Sequence, residues 1–426
     1  MSERLHTTRP ILIKTISVLG LLVLPSVVGA LTFYLFCPLF ICSSAIAVYA
    51  FVRDSGRAKK ITLVLVSVAL TITVSDIALR YVPLVPGTLV EKWPRMPLVN
   101  RYLPNSNYQG YRFNDLSQMM GTKQWREDKF IRVVTDSAGF RNERFDQSLP
   151  LDLILLGDSF GAGAVSQEHT WTSILARDYN LLTYNLSTPA AGPWHEYINL
   201  WAEKDRLKVA KGAVLIWQLF TGNDLEDAYG SLEVNELPWC GAPGILANRI
   251  NNARWRSPVR SLLGKHNQSV DVLDRHFLNG RTLLFYKPYI QASSRSAEDI
   301  VKHPNYARLH ATILAVKALA GSKGLRLAIV LVPAKEEIYS WVWEGKPAWS
   351  TGAASSGFAD VLRDICTEED LLFLDLKPHL IHEARRLYEE SGELLYWYDD
   401  THMNEAGNRL SASVIYKELV QVRSAN

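Results

Sequence analysis

The chain has 426 residues, a formal net charge of +3 and 48% hydrophobic residues. That length accommodates a membrane segment plus one or two globular domains. A charge so near neutral, with no basic stripe, argues against a nucleic-acid partner.

The hydrophobic excess is concentrated in the first 80 residues, where no charged residue occurs from 15 to 52. A helix needs about 20 residues to cross the hydrocarbon core of a bilayer. The run therefore predicts two transmembrane helices, near 11–28 and 31–52, and a third is expected at 61–79. Asp76 lies near one end of the third, where snorkelling or a local partner relieves it. Arg4, Arg9 and Lys14 flank the first span. Arg53, Arg57, Lys59 and Lys60 lie between the second and third, and the loop near Gly29 and Ala30 is uncharged. The positive-inside rule puts the N-terminus and the 53–60 loop in the cytoplasm and everything after Leu79 outside. A signal peptide cut near Ala30 is the competing reading; it leaves two spans and exports the same domain. Of four cysteines, Cys37 and Cys42 fall inside a span. Cys240 and Cys366 are expected in an oxidising compartment, where they can pair.

Residues 81–150 are rich in Pro, Asn and Arg and read as a connector with irregular β structure. A regular alternation then begins. Strand-like apolar runs occur at 151–156, 181–186, 213–220, 326–332 and 371–376. Helical patterns lie at 168–178, 194–210, 304–322, 357–367, 377–390 and 404–422. Strands alternating with helices predict a parallel sheet covered on both faces. The expected fold class is α/β, a flavodoxin-like three-layer sandwich preceded by three transmembrane helices, with ligands at the carboxyl ends of the strands. Residues 225–303 break the rhythm with a connection far longer than usual. They carry Trp239, Trp255, Arg254, Arg256 and Arg260 and read either as a lid or substrate-binding insertion or as a surface elaboration.

Gly157-Asp158-Ser159 closes the first strand, and the glycines at 157 and 161 permit a sharp turn that exposes the hydroxyl. Asp399 precedes His402 by three residues, just before the last helix. On a turn that spacing lets a carboxylate reach one imidazole nitrogen while the other faces a serine. Taken alone, the pair also fits a helix-capping turn or half a metal site. No other histidine or cysteine lies near it in sequence, so no metal and no cofactor are expected. Gly192 follows the second strand and Asn223 the third. A glycine N–H and an asparagine amide can each serve as an oxyanion donor, or simply form turns and caps. Asp224 reads as a loop-ordering residue. Gly157-Asp158-Ser159-Phe160-Gly161 also satisfies the nucleophile elbow of α/β-hydrolases. That fold is set aside because the serine here ends the first strand, and its acid and histidine normally sit on separate loops.

In their order, these four blocks resemble the SGNH (GDSL-type) hydrolase superfamily: Gly157-Asp158-Ser159, Gly192, Asn223-Asp224, and Asp399 through His402. The third block departs slightly, because the family spacing would put its glycine at position 221, a threonine here, rather than at Gly222. The resemblance covers roughly 150–423 with a large insertion. It implies Ser159 as nucleophile, His402 as base and Asp399 as its orienter, with the Ser159 and Gly192 N–H groups and Asn223 as the oxyanion hole. The segments 135–141 and 332–336 are similar to a membrane-anchored bacterial envelope subgroup that includes alginate-type O-acetyltransferases. Lys335, within the second, reads as a solvated loop residue.

The resulting expectation is a multi-pass protein of the bacterial inner membrane with its catalytic domain in the periplasm. The lipid bilayer is its first partner. The expected activity is that of a serine esterase or deacylase working through an acyl-enzyme on an envelope glycan or lipid. Acetyl transfer to an extracytoplasmic polysaccharide is the alternative, and would require a membrane acyl-donor partner. A non-catalytic glycan-binding or assembly protein is a third reading, opposed by the intact serine, histidine and aspartate.

Overall fold

The computed structural model describes residues 89–421, except 113, 121–125, 144, 145, 147, 234–236, 238, 256–271, 279 and 348–354. The spans expected at 11–28, 31–52 and 61–79 lie outside the described residues. Among the described residues no helix is long and apolar enough to cross a membrane. The chain divides into two compact units, one of residues 1–84 and 240–265, the other of 85–239 and 266–426. In the first, the described part is the helix Ala242–Trp255, where the Asn248 amide meets the Cys240 sulfur at 3.3 Å. Cys366 is a buried free thiol.

The second unit opens with two antiparallel pairs: β1 (Val90–Trp93) with β2 (Met96–Tyr102), and β3 (Asn107–Arg112) with β4 (Lys129–Val134). The short helix α1 (Asp115–Met119) lies between β3 and β4. Next come β5 (Leu151–Leu156), β6 (Thr183–Asn185) and β7 (Val209–Phe220), the antiparallel hairpin β8 (Val272–Leu278) and β9 (Arg281–Tyr286), and then β10 (Arg326–Val332) and β11 (Leu372–Asp375). Five of these strands form one parallel sheet in the order β11-β10-β7-β5-β6. Numbered among themselves, that is the 2-1-3-4-5 order of flavodoxin-like sheets. Such sheets bind ligands outside the carboxyl ends of the strands where the winding reverses, here between β5 and β7.

Both faces of the sheet are covered, which is why its strands read as unbroken apolar runs rather than alternating ones. Ile154, Leu215, Trp217 and Ile329 pack on one face against Ile198, Leu309, Ile313 and Leu362. These come from α4 (Pro193–Glu203), α5 (Tyr306–Ser322) and α6 (Gly357–Glu368), while the short α2 (Ser159–Ala162) and α3 (Trp171–Tyr179) follow β5. On the other face Leu153, Leu155, Ile216 and Val330 meet Ile174, Leu380 and Ala412. Those residues lie on α3, α7 (Lys377–Ser391) and α8 (Glu405–Ile415). Each such side chain contributes about 1.5–3 kcal/mol on burial, so the layering is strongly determined.

Two boundaries differ from the sequence reading. The helix expected to run to 210 stops at Glu203, and β7 starts at Val209. Residues 209–212 are partly or fully exposed and include Gly212 with φ +80°, so they carry no apolar signature. Within 225–303, β9 buries Leu283 and Phe285 in the core and Leu284 against Leu116. That part of the insertion is structural core, not an outlying elaboration. The 81–150 segment likewise does more than connect, because it reaches the site described next.

Candidate active site

Ser159 stands at the first position of α2, directly beyond the carboxyl end of β5, and is only partly buried. Asp158 caps the helix by accepting from the Phe160 N–H at 2.7 Å. Gln218 on β7 pins the turn from below: its Oε1 accepts from the Asp158 and Gly161 N–H groups at 3.2 and 3.0 Å. The turn needs its glycines because space is lacking. A Cβ on Gly157 would come within 2.4 Å of Gln218 Oε1, and one on Gly161 within 2.4 Å of Ser187 Oγ. The Ser159 N–H is among the donors that a helix N-terminus leaves without an intrahelical acceptor.

His402 Nε2 lies 2.7 Å from Ser159 Oγ, and its Nδ1 lies 2.6 Å from Asp400 Oδ1. Phe160 backs the imidazole with a ring-centroid separation of 4.8 Å. The expectation that Asp399 orients His402 is therefore corrected: the acid on the imidazole is Asp400. Asp399 is fully buried and turned the other way, its carboxylate accepting from the Asn114 amide and, at 2.9 Å, from the Glu127 N–H. Thr401 is held by Asp115, its N–H donating to Asp115 Oδ1 at 2.9 Å and its hydroxyl to Asp115 Oδ2. Lys129 Nζ contacts the other oxygen of Asp400 at 3.0 Å, with both side chains fully buried. Lys335, expected in solvent, is also buried. It donates to the carbonyls of Asp400 at 2.7 Å and Trp397 at 3.2 Å.

Asp115, Asp400 and His402 offer three ligand atoms within 4.8 Å of one another, a spacing that a cation could use. The Lys129 ammonium already supplies positive charge at Asp400, so the donor set does not fit a divalent ion well.

The two expected oxyanion donors meet at Asp227. One hydrogen of the Asn223 amide goes to Asp227 Oδ2 at 2.6 Å, leaving its second free to donate. A Cβ on Gly192 would lie 2.6 Å from Asp227 Cβ, which explains a glycine there. The Gly192 N–H is spent on His195 Nδ1 at 3.2 Å. Burial lowers His195 to about 4, so the ring stays neutral and can accept. Gly192 in this arrangement has no free donor for an oxyanion, which corrects the expectation for that residue.

No family model matches the chain, and no curated protein matches it. Solved structures similar to it include TesA, at 12% identity and a TM-score of 0.31, covering 63% of this chain and 97% of that one. A candidate SGNH hydrolase from Slackia heliotrinireducens is similar at 11% identity and a TM-score of 0.31, covering 64% of this chain and all of that one. Overlap of that degree leaves the fold resting on the strand order and the site resting on its own contacts.

Behind the Ser159 turn sits a group of buried acids. Burial, opposed by the hydrogen bond from Phe160, raises Asp158 to about 6. Burial and the charge of Asp158 push Glu196 well above the usual carboxylate range. Burial and the charges of Glu196 and Asp158 do the same to Asp224. Glu196 accepts from Trp217 Nε1 at 2.6 Å, and Asp224 from the Phe220 N–H at 2.6 Å. Asp224 thus orders the loop after β7, as its position in sequence suggests. Sequence reasoning missed Asp400 as the acid, and with it Asn114, Asp115, Glu127, Lys129 and Gln218. Its place two residues before His402 was the one available signal for Asp400.

Proposed function

We propose that this chain is an SGNH-type serine ester hydrolase acting through an acyl-enzyme. The observation that carries this is the continuous contact Ser159 Oγ to His402 Nε2 at 2.7 Å and His402 Nδ1 to Asp400 at 2.6 Å, at the carboxyl ends of a parallel sheet. His402 takes the hydroxyl proton as Ser159 Oγ attacks the ester carbonyl. Asp400 accepts from Nδ1–H, holds that tautomer and stabilises the imidazolium. The Ser159 N–H and the free hydrogen of the Asn223 amide receive the developing oxyanion. Collapse returns the proton to the leaving alcohol. Water, activated by the same imidazole, then releases the acid.

The substrate we propose is an ester on an envelope glycan or lipid, met outside the cytoplasm by a domain held at the membrane by the segment 11–79. The reading is supported by the charge pattern around the apolar runs. Ser159→Ala should abolish labelling by a serine-directed fluorophosphonate and hydrolysis of p-nitrophenyl acetate, with the melting temperature near that of the parent. Labelling that persists in the variant refutes the assignment. Adding an acceptor sugar distinguishes the alternative, because a transferase would divert the acyl group from water to the sugar.

A further inference from the structure

We infer that Lys129 is a positioning residue for the catalytic pair: its ammonium selects Asp400 as the partner of His402 and sets the pH below which the pair stops working. The inference rests on the serine-hydrolase reading above.

Two adjacent carboxylates compete for one imidazole, and the segment 114–129 decides between them. It touches each residue of the turn that carries His402. Glu127 Oε2 accepts from the Tyr398 N–H at 3.3 Å. Asn114 and the Glu127 N–H engage Asp399 and turn it away. Asp115 clamps Thr401 by its N–H and hydroxyl. Lys129 then draws Asp400 inward. It opens β4, opposite Arg112 of β3, so the hairpin fixes where its stem begins. Its Nζ lies 4.2 Å from the centroid of the Trp397 ring, which walls the ammonium on a second side. With Oδ2 on Lys129 at 3.0 Å and Oδ1 on His402 at 2.6 Å, the carboxylate spans two cationic or donating groups and cannot rotate.

Several charged groups face this pair. Asp115 Oδ2 is 3.7 Å from His402 Nδ1. Lys335 approaches from the short helix Lys335–Ile338 after β10, but its bonds go to carbonyls, with Glu336 beside it. Asp158 and Tyr289 lie toward the nucleophile turn, and Asp399 is next in the chain. The ammonium in contact with the carboxylate is that of Lys129.

The sign follows directly. The working pair carries one negative charge, and taking up a proton neutralises it. A neighbouring positive charge opposes that proton, so removing the charge lets the pair protonate at higher pH. An opposite charge within about 4–6 Å moves a carboxylate by roughly 1–3 pH units.

The test is the pH profile of kcat/KM for p-nitrophenyl acetate with the full chain. Lys129→Met, whose side chain fills the same slot, should move the acid limb to higher pH. KM should change little. Lys129→Arg, which keeps the charge, should leave the limb in place. If the Met variant does not fold, Lys129→Gln carries the same measurement. A folded neutral variant with lowered kcat but an unmoved acid limb overturns the inference, as does an Arg variant whose limb moves as far as the neutral one. Activity that survives Ser159→Ala would instead refute the serine-hydrolase reading itself.

Discussion

The choice between Asp399 and Asp400 gives the sharpest expectation. Replacing a triad aspartate by asparagine typically costs about 10⁴ in kcat, because the amide favours the wrong imidazole tautomer. Asp400→Asn should pay that, since its Oδ1 is the acceptor for His402 Nδ1 at 2.6 Å. It should also lose stability, because the buried Lys129 ammonium loses its counter-charge. Breaking such a pair costs about 3–5 kcal/mol. Asp400→Asn/Lys129→Met should recover most of that stability and none of the rate, which separates folding from chemistry. Asp399→Asn weakens charge-assisted bonds from Asn114 and Glu127, each worth about 1.5–3 kcal/mol. Its kcat should stay within about tenfold of the parent, on the premise that Asp400 remains in place. Steady-state kinetics with thermal unfolding reads all three variants. A collapse of kcat in Asp399→Asn with near-parental kcat in Asp400→Asn would refute the geometry.

Asn223→Ala should lower kcat by about 10²–10³ with little change in KM, as for other single oxyanion donors; a KM-only effect would mean the amide binds substrate instead. Glu196→Gln tests the buried acids. Because Glu196 titrates above its unfolded value of about 4.3, the folded state holds the extra proton, and stability falls as pH rises from there. The Gln variant lacks that loss, so its stability relative to the parent should rise steadily between pH 4.5 and pH 8. A constant difference across that range would show that Glu196 is charged in the fold.

Much of the sheet was legible because burial on both faces leaves a plain sequence trace. The runs 151–156 and 326–332 coincide with β5 and β10. Ser159 and His402 were legible for a related reason, since each sits where a strand or turn must end. What failed had no local trace. The first residues of β7 are exposed, and the helix before it ends at Glu203 rather than running to 210. Lys335 looked solvated because lysine usually is, yet the carbonyls of the 397–400 turn give its ammonium three acceptors. Gly192 kept its place but not its expected donor, because His195 one helical turn later takes the N–H.

The acid was misplaced for a deeper reason. Spacing along the chain favoured Asp399 over Asp400, and no rule of local geometry separates two neighbouring carboxylates on an irregular turn. The decision is made by side chains 271 to 286 residues earlier. Those side chains come from the segment that reads as a connector, so the parallel sheet supplies the nucleophile and the histidine but not the choice of acid. Selectivity of this kind is a property of tertiary contact alone. On the proposed mechanism, the 107–134 hairpin belongs to the catalytic unit as much as β5 does. A displacement of about 1 Å at Lys129 would lengthen its contact with Asp400 beyond hydrogen-bond range, loosening the acid while leaving the serine and its oxyanion donors in place.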